Sequence, residues 1–422
     1  MSLLRCDDTN AQLSAAGLRM RRQVNKTKSV TVKNKASIDQ AFQRATDSKA
    51  VPGIVATVAT SKDIIYQGAF GLRDISKNAA MTMDSVFWLA SMTKAISATA
   101  AMQLVEQGKL SLDDPIGSIL SEFSAPKVLE GFAADGVPQL RDARKPVTLR
   151  NLLTHTAGFW YDLSNPDMLR YVEATGAVPI LSCQRIALQV PLASDPGTRW
   201  EYGLSLDVVG LAVEAASGKR LDAYMRDHIF APLGMNDSGF KIGEDQRSRL
   251  VAMHARGADG SLSSIPFEVE QNPEMHLGGA GLYSTAPDYI KFTQMILNNG
   301  SGNGHQILKP ETVALMAQNH IGDLEVMPLP SSVPHLSKPM VDLYPGIVKK
   351  WGLSSMITTE KTPEGRSAGS LTWSGLANTF YWIDAARDVT GVIMMQVLPF
   401  GDQACLDTFA GFERGVYAAL RT

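Results

Sequence analysis

Cysteine is scarce in this sequence of 422 residues, which contains only Cys6, Cys183 and Cys405. Their number is odd, they lie far apart and no CxxC pair occurs, which argues against a disulfide framework and against a thiolate zinc site. Reduced thiols are therefore expected, as is typical of a cytoplasmic protein. Residues 1–30 also lack the charged-then-apolar pattern of a signal peptide, which supports the same expectation.

The net charge is also small, because 40 Lys and Arg residues face 42 Asp and Glu residues, giving −2. Nucleic-acid-binding domains usually carry a basic excess, so no nucleic-acid partner is expected. No apolar run approaches the 18 or so residues of a membrane-spanning helix, so no membrane partner is expected either. The basic residues within 1–34 are interpreted as part of a solvated N-terminal arm, with a binding tail as the alternative.

Apolar residues make up 45% of the sequence, which is enough for a large core and predicts a globular protein. Segments rich in β-branched and aromatic residues predict strands near both ends of the chain, at 53–60, 64–70, 346–351, 379–384 and 389–397. Helical spacing dominates between them. The predicted organisation is an arm (1–34), an α/β domain built from 35–90 and 340–422, and a mostly helical domain with insertions (91–339).

Residues 365–369 (GRSAG) match the GxSxG pattern of one class of serine hydrolases. That motif needs a preceding strand, a following helix and a histidine further along the chain. The last of the seven histidines is His335, so none follows Ser367. A Ser–His relay in that order is impossible, and the segment is interpreted as a glycine-rich hairpin turn.

Residues 91–94 (SMTK) match a different pattern, SxxK, which recurs at 124–127 and 238–241. The motif needs a helix, and Pro126 and Gly239 disfavour one in the two later copies. The first copy opens a strong helical pattern that runs to Gln107. Only this copy is therefore predicted to place its serine and lysine on one helix face.

A serine hydroxyl is a weak nucleophile without a base, and lysine at its usual pKa of about 10.4 is protonated at neutral pH. Burial or a second cation must therefore lower the pKa of Lys94 before it can deprotonate Ser91. A third polar group is then expected as a proton relay. Tyr202 is the candidate, because it lies in a Pro- and Gly-containing loop just before a helix; an aromatic that merely fills this junction is the alternative.

Six segments occur in an order that resembles the class C β-lactamase and penicillin-binding-protein superfamily: 91–94 (SMTK), 152–158 (LLTHTAG), 196–202 (PGTRWEY), 232–235 (PLGM), 278–285 (GGAGLYST) and 373–375 (WSG). Within it, the family VIII carboxylesterases are most similar, and the lovastatin-type acyltransferases are also similar. The resemblance covers roughly residues 35–420. It implies a β-lactamase-like α/β (α+β) fold, in which an antiparallel sheet is flanked by helices and accompanied by a mostly helical domain.

The same resemblance implies a role for each matching residue. Ser91 would be the acylated nucleophile, Lys94 its base and Tyr202 the proton relay to the leaving group. The backbone N–H groups of Ser91 and Leu376 would form the oxyanion hole. No metal and no cofactor are expected.

Two departures from the superfamily pattern point to the substrate. Tyr202 is followed by Gly203 and Leu204 instead of completing Tyr-x-Asn, and Trp373-Ser374-Gly375 replaces Lys-Thr-Gly. The amide that would hold a β-lactam side chain and the cation that would bind its carboxylate are both missing. The predicted function is thus a cytoplasmic serine carboxylesterase acting on small, neutral esters of short to medium chain length.

Four residues are predicted to contact the substrate: Tyr161, Trp373, Ser374 and Gly375. The alternatives left open are a β-lactamase or DD-peptidase, an acyltransferase of secondary metabolism, and a sensor that is acylated once. His155 is interpreted as structural, orienting loops by hydrogen bonds, because no second ligand has metal-binding spacing.

Overall fold

A computed structural model describes residues 32–420, with side chains from Lys35 onward. The side chains of the predicted arm (1–34), including Cys6, lie outside the described residues. None of the helices between residues 32 and 420 combines the length and the apolar character that a bilayer crossing requires.

The strands of the described residues are, in chain order, β1 (Gly53–Ala59), β2 (Ile64–Asp74), β3 (Ala79–Ala80), β4 (Phe87–Trp88), β5 (Lys127–Phe132), β6 (Pro138–Asp142), β7 (Met253–Arg256), β8 (Leu262–Ile265), β9 (Tyr283–Ser284), β10 (Ser301–Gly302), β11 (His305–Gln306), β12 (Lys349–Trp351), β13 (Met356–Thr358), β14 (Leu371–Gly375), β15 (Thr379–Asp384), β16 (Val389–Met394) and β17 (Val397–Leu398). The predicted strand over 389–397 is interrupted after Met394. β13 and β14 were not predicted as strands.

The helices are α1 (Val32–Asp47), α2 (Thr93–Glu106), α3 (Leu149–Leu153), α4 (Pro166–Thr175), α5 (Ser205–Ser217), α6 (Leu221–Met225), α7 (Ala231–Leu233), α8 (Glu244–Arg249), α9 (Ala286–Leu297), α10 (Pro310–Met316) and α11 (Gln403–Ala419). A π-helical turn (Arg226–Phe230) joins α6 to α7. Polar N-cap residues explain where several of these helices begin. At the start of α9, for example, the Thr285 side chain accepts a hydrogen bond from the Asp288 N–H.

An eight-stranded antiparallel sheet forms the centre of the protein, in the order β12-β13-β14-β15-β16-β1-β2-β3. The first strand of the chain pairs with β16, so that Val55 lies opposite Met394. All residues of β1 and β15 are buried, as expected for strands covered on both faces. The predicted antiparallel sheet flanked by helices is confirmed, whereas the division into two domains stays a prediction.

The helices that cover the sheet can be assigned from neighbouring residues of β15, whose side chains point to opposite faces. The ring of Tyr381 contacts Tyr289 of α9, while the ring of Trp382 contacts Phe412 of α11. Helix α1 packs beside α11 through Phe42. The sheet is therefore a layer between α9 on one face and the helices α1 and α11 on the other.

The GxSxG segment lies in the connection between β13 and β14, and no helix follows it, as predicted. Its Arg366 is fully buried and forms an ion pair with Glu413 of α11, with Nε and Oε1 2.5 Å apart. The guanidinium also lies over the ring of Tyr344, 4.4 Å from the centroid. The motif thus anchors the sheet to the C-terminal helix.

We expect Glu413→Gln to lower the free energy of unfolding by about 3–5 kcal/mol, because it leaves the Arg366 charge buried without a partner. Urea titration followed by tryptophan fluorescence measures the change. The control is Arg414→Ala, which breaks the exposed pair of Arg414 with Glu364 and should cost less than about 1 kcal/mol. Equal effects of the two substitutions would contradict the assignment of Arg366 as a buried anchor.

Candidate active site

Ser91 lies in a tight turn of 3-10 helix (Ala90–Met92) that leads directly into α2. Ala90 has a φ of +46°, in the left-handed region that residues other than glycine rarely adopt. The predicted helix over 91–107 therefore begins at Thr93, and Ser91 precedes it in a constrained turn. Such backbone conformations are typical of functional sites, where they aim a side chain.

Strand β14 approaches this turn closely because it ends in a glycine. A Cβ atom on Gly375 would lie 2.3 Å from the carbonyl oxygen of Leu89 and 2.3 Å from Oγ1 of Thr379. Any larger residue would push β14 away from the turn that carries Ser91. The glycine thus allows the sheet and the start of α2 to build one site.

Lys94 is fully buried, and its Nζ lies 3.0 Å from Oγ of Ser91. The same nitrogen lies 3.1 Å from the hydroxyl oxygen of Tyr161 and donates to the carbonyl oxygen of Gly279 at 2.8 Å. Burial lowers the pKa of Lys94, while the nearby charge of Asp207 opposes this shift. The burial that a basic lysine requires is therefore present.

Tyr202 is held at the same point by the sheet. The indole N–H of Trp373 in β14 donates to the hydroxyl oxygen of Tyr202 at 2.9 Å. Burial raises the pKa of Tyr202, whereas hydrogen bonds from Ser91 and Trp373 lower it. The ring centroid of Tyr202 lies 4.8 Å from Nζ of Lys94, close enough for the ring face to stabilise an ammonium.

Two backbone N–H groups complete the arrangement. Ser91 and Leu376 line the same cavity, and within the described part of the chain neither N–H donates a hydrogen bond to another protein group. Unpaired N–H groups beside a nucleophile are suited to stabilising the negative charge of a tetrahedral intermediate. Their role as an oxyanion hole is still a prediction.

The cavity above Ser91 has a volume of about 420 Å³. All four residues predicted to contact the substrate line it, together with apolar side chains that include Trp88, Leu163, Ile180, Phe267, Leu336 and Phe400. None of the described residues lining it is Lys, Arg or His, and its only acidic residues are Asp162 and Asp207. This lining suits a neutral, apolar ligand.

Tyr161 does more than line the cavity wall, because its hydroxyl also contacts Lys94. No pattern in the sequence predicts that contact. Sequence reasoning also missed Asp207, which is 1% exposed and lies in the first turn of α5. The available signal was an acidic residue flanked on both sides by apolar residues of a helical pattern.

The structure agrees only in part with the interpretation that His155 orients loops by hydrogen bonds. Its carbonyl does orient a loop, by accepting a hydrogen bond from the N–H of Glu201 at 2.8 Å. Its imidazole is fully buried, and neither ring nitrogen has a hydrogen-bond partner among the described residues. The ring instead packs against Tyr202, with centroids 4.7 Å apart. Burial and the nearby Lys94 keep its pKa well below the ordinary value, so the packed ring is neutral.

Comparison with known proteins gives matches over almost the whole chain. The family model described as Beta-lactamase matches residues 38–414. Monacolin J acid methylbutanoyltransferase from Aspergillus terreus is 32% identical over 408 residues, covering 90% of this chain and 95% of that protein. Lovastatin esterase from Penicillium rubens is 32% identical over 398 residues, covering 90% of this chain and 98% of that protein.

Among solved structures, unliganded Simvastatin Synthase (LovD) from Aspergillus terreus superposes with a TM-score of 0.80 at 30% identity, covering 92% of this chain and 99% of the other. The antiparallel sheet and its flanking helices are thus a shared architecture. Proteins named as a transferase and as an esterase are equally similar in sequence to this chain.

We expect Lys94→Met to slow covalent labelling of Ser91 by a fluorophosphonate at least about 100-fold at neutral pH, because the serine loses its base. Mass spectrometry of the labelled peptide measures the rate. The matched controls are Lys127→Met and Lys241→Met, which remove the exposed lysines of the other two SxxK segments and should label at the wild-type rate. Undiminished labelling in Lys94→Met would contradict the assignment of Lys94 as the base.

Proposed function

We infer that this chain, which belongs to the beta-lactamase family, is a serine enzyme that transfers an acyl group from an ester to the hydroxyl of an alcohol. Ester hydrolysis follows when water replaces the alcohol. The observation that carries the proposal is the contact of Ser91 with buried Lys94 at the base of an apolar cavity of about 420 Å³. The predicted resemblance to the β-lactamase-like superfamily is confirmed by the family match.

In the first half of the proposed reaction, neutral Lys94 takes the proton of Ser91 while Oγ attacks the ester carbonyl. The backbone N–H groups of Ser91 and Leu376 stabilise the oxyanion. The bond to the alkoxy oxygen then breaks, and Tyr202 gives its proton to the departing alcohol. The products of this half are an acyl-Ser91, a phenolate on Tyr202 and an ammonium on Lys94.

The second half reverses these proton transfers with a different alcohol. The phenolate of Tyr202 takes the proton of the incoming hydroxyl, whose oxygen attacks the acyl carbon. When the tetrahedral intermediate collapses, the oxygen of Ser91 recovers its proton from Lys94. The enzyme is then in its starting state, and every step has used groups of the chain itself, without a cofactor or metal.

Transfer to an alcohol is favoured over the carboxylesterase function predicted from the sequence by the character of the cavity. Its lining is apolar and much of its volume would remain after a short acyl group is bound, so it can admit an apolar alcohol and exclude water. A transferase relative at 32% identity supports this choice. Hydrolysis in the manner of the family VIII carboxylesterases is the second candidate, supported by an esterase relative at the same identity.

The proposed substrates are small and uncharged. Trp373 occupies the motif position at which the superfamily has lysine, and its N–H is used by Tyr202. A substrate carboxylate in the cavity would therefore lack a cation. This argues against β-lactams and peptides that end in a carboxylate.

We also propose that the protein works in a reducing compartment such as the cytoplasm. Cys183 and Cys405 are buried free thiols in the described chain.

We expect the ratio of ester product to acid product from p-nitrophenyl butyrate to rise in proportion to the concentration of an added apolar alcohol. Both products compete for the same acyl-enzyme, and chromatography quantifies them. Ser91→Ala should reduce both at least about 1,000-fold. Acid as the sole product at saturating alcohol would favour the esterase, and full activity of Ser91→Ala would refute both candidates.

We expect p-nitrophenyl esters whose acyl chain ends in a carboxylate to show a kcat/KM at least about tenfold lower than neutral esters of equal length. The reason is that the cavity desolvates the charge without supplying a cation. Initial rates measured beside those for a chromogenic cephalosporin test this expectation. Equal rates for the charged and neutral esters, or a preference for the cephalosporin, would contradict it.

A further inference from the structure

We propose that Asp207 is a positioning residue for Lys94: it fixes the carbonyl group that holds the amine, and its charge sets the pH range in which the amine acts as a base. This inference rests on the proposed function, in which neutral Lys94 deprotonates Ser91. It adds to the predicted site a side chain that acts through Lys94.

The connection from Asp207 to Lys94 passes through one residue. Oδ1 of Asp207 accepts a hydrogen bond from the N–H of Gly279 at 2.8 Å. The carbonyl oxygen of Gly279 accepts from Nζ of Lys94, also at 2.8 Å. Both polar backbone groups of Gly279 are therefore committed, one to the carboxylate and one to the amine.

The close approach depends on the absence of a side chain at Gly279. A Cβ atom there would lie 2.6 Å from Oδ2 of Asp207. The neighbouring Gly278 is held separately, because Oγ of Ser97 in α2 donates to its carbonyl oxygen at 2.5 Å. Two helices thus anchor the same loop, but only α5 does so with a charge.

The position of the Gly279 carbonyl restricts where the lone pair of a neutral Lys94 can point. A neutral amine has two N–H groups and one lone pair. The carbonyl can only accept, so it takes one N–H. The hydroxyls of Tyr161 and Ser91 can each donate or accept, and the proposal requires Tyr161, at 3.1 Å, to accept the other N–H. The lone pair then faces the hydroxyl of Ser91 at 3.0 Å, as proton removal requires.

Apart from its hydrogen bond to Gly279, the carboxylate of Asp207 also acts on Lys94 through its charge. Oδ2 is buried and has no hydrogen-bond partner among the described residues. The other titratable groups that face Asp207, Lys94 or their neighbours are His155, Tyr161, Asp162, Cys183 and Tyr202. Burial raises the pKa of Asp207, and the carboxylate in turn opposes the lowering of the pKa of Lys94.

The test is the pH dependence of fluorophosphonate labelling of Ser91 in Asp207→Asn. The amide keeps an oxygen for the Gly279 N–H but removes the charge, so the protonated form of Lys94 loses its stabilising neighbour. The acidic limb of the profile should therefore move to lower pH by about one unit or more. Asp207→Ala, which also removes the hydrogen bond, should in addition slow labelling at the high-pH plateau about 10-fold or more.

Ser97→Ala is the matched control, because it removes the uncharged anchor of the same loop. Its acidic limb should stay at the wild-type pH. An Asp207→Asn profile that superposes on the wild type would overturn the role of the charge. Equal plateau rates for Asp207→Asn and Asp207→Ala would overturn the positioning role. Failure of the wild-type protein to label at Ser91 would instead refute the proposed function itself.

Discussion

The amine of Lys94, buried beside a serine hydroxyl, is the constraint on which the rest of the site depends. An ammonium is costly to bury, so the amine must either lose its proton or be surrounded by groups that compensate its charge. Both effects are present in this protein. Burial lowers the pKa of Lys94, which favours loss of the proton, and three oxygen atoms within hydrogen-bonding distance of Nζ compensate the charge of the ammonium. The lysine is therefore able to exchange a proton near neutral pH, which a surface lysine is not.

This requirement explains why so many parts of the chain converge at one point. The 3-10 turn before helix α2 supplies Ser91, and α2 itself supplies Lys94. The loop before α4 supplies Tyr161, and the segment around α5 supplies Tyr202 and Asp207. Strand β14 brings the Trp373 indole to the hydroxyl of Tyr202. The sheet is covered on both faces, and this packing holds β14 in place beside the site.

The apolar cavity accounts for the kind of reaction that this chemistry can serve. An acyl-serine is attacked by whichever hydroxyl reaches it, so transfer and hydrolysis differ in access rather than in mechanism. Relatives named as a transferase and as an esterase share about one third of their residues with this chain.

Local spacing alone determined the part of the site that lies on one helix. Ser91 and Lys94 are three residues apart, so a helical pattern is enough to predict their contact, and segments rich in β-branched and aromatic residues similarly predict the long strands. Tyr202 is a candidate from its position in a loop just before a helix, whereas Trp373 is identified only through an ordered set of motifs. Tertiary structure alone decided the contacts of Lys94 with Tyr161 and Gly279, which lie 67 and 185 residues away along the chain. Tertiary structure alone also decided that Asp207 lies beside Gly279 and Lys94, because no periodicity in a sequence encodes which loop will fold against which helix.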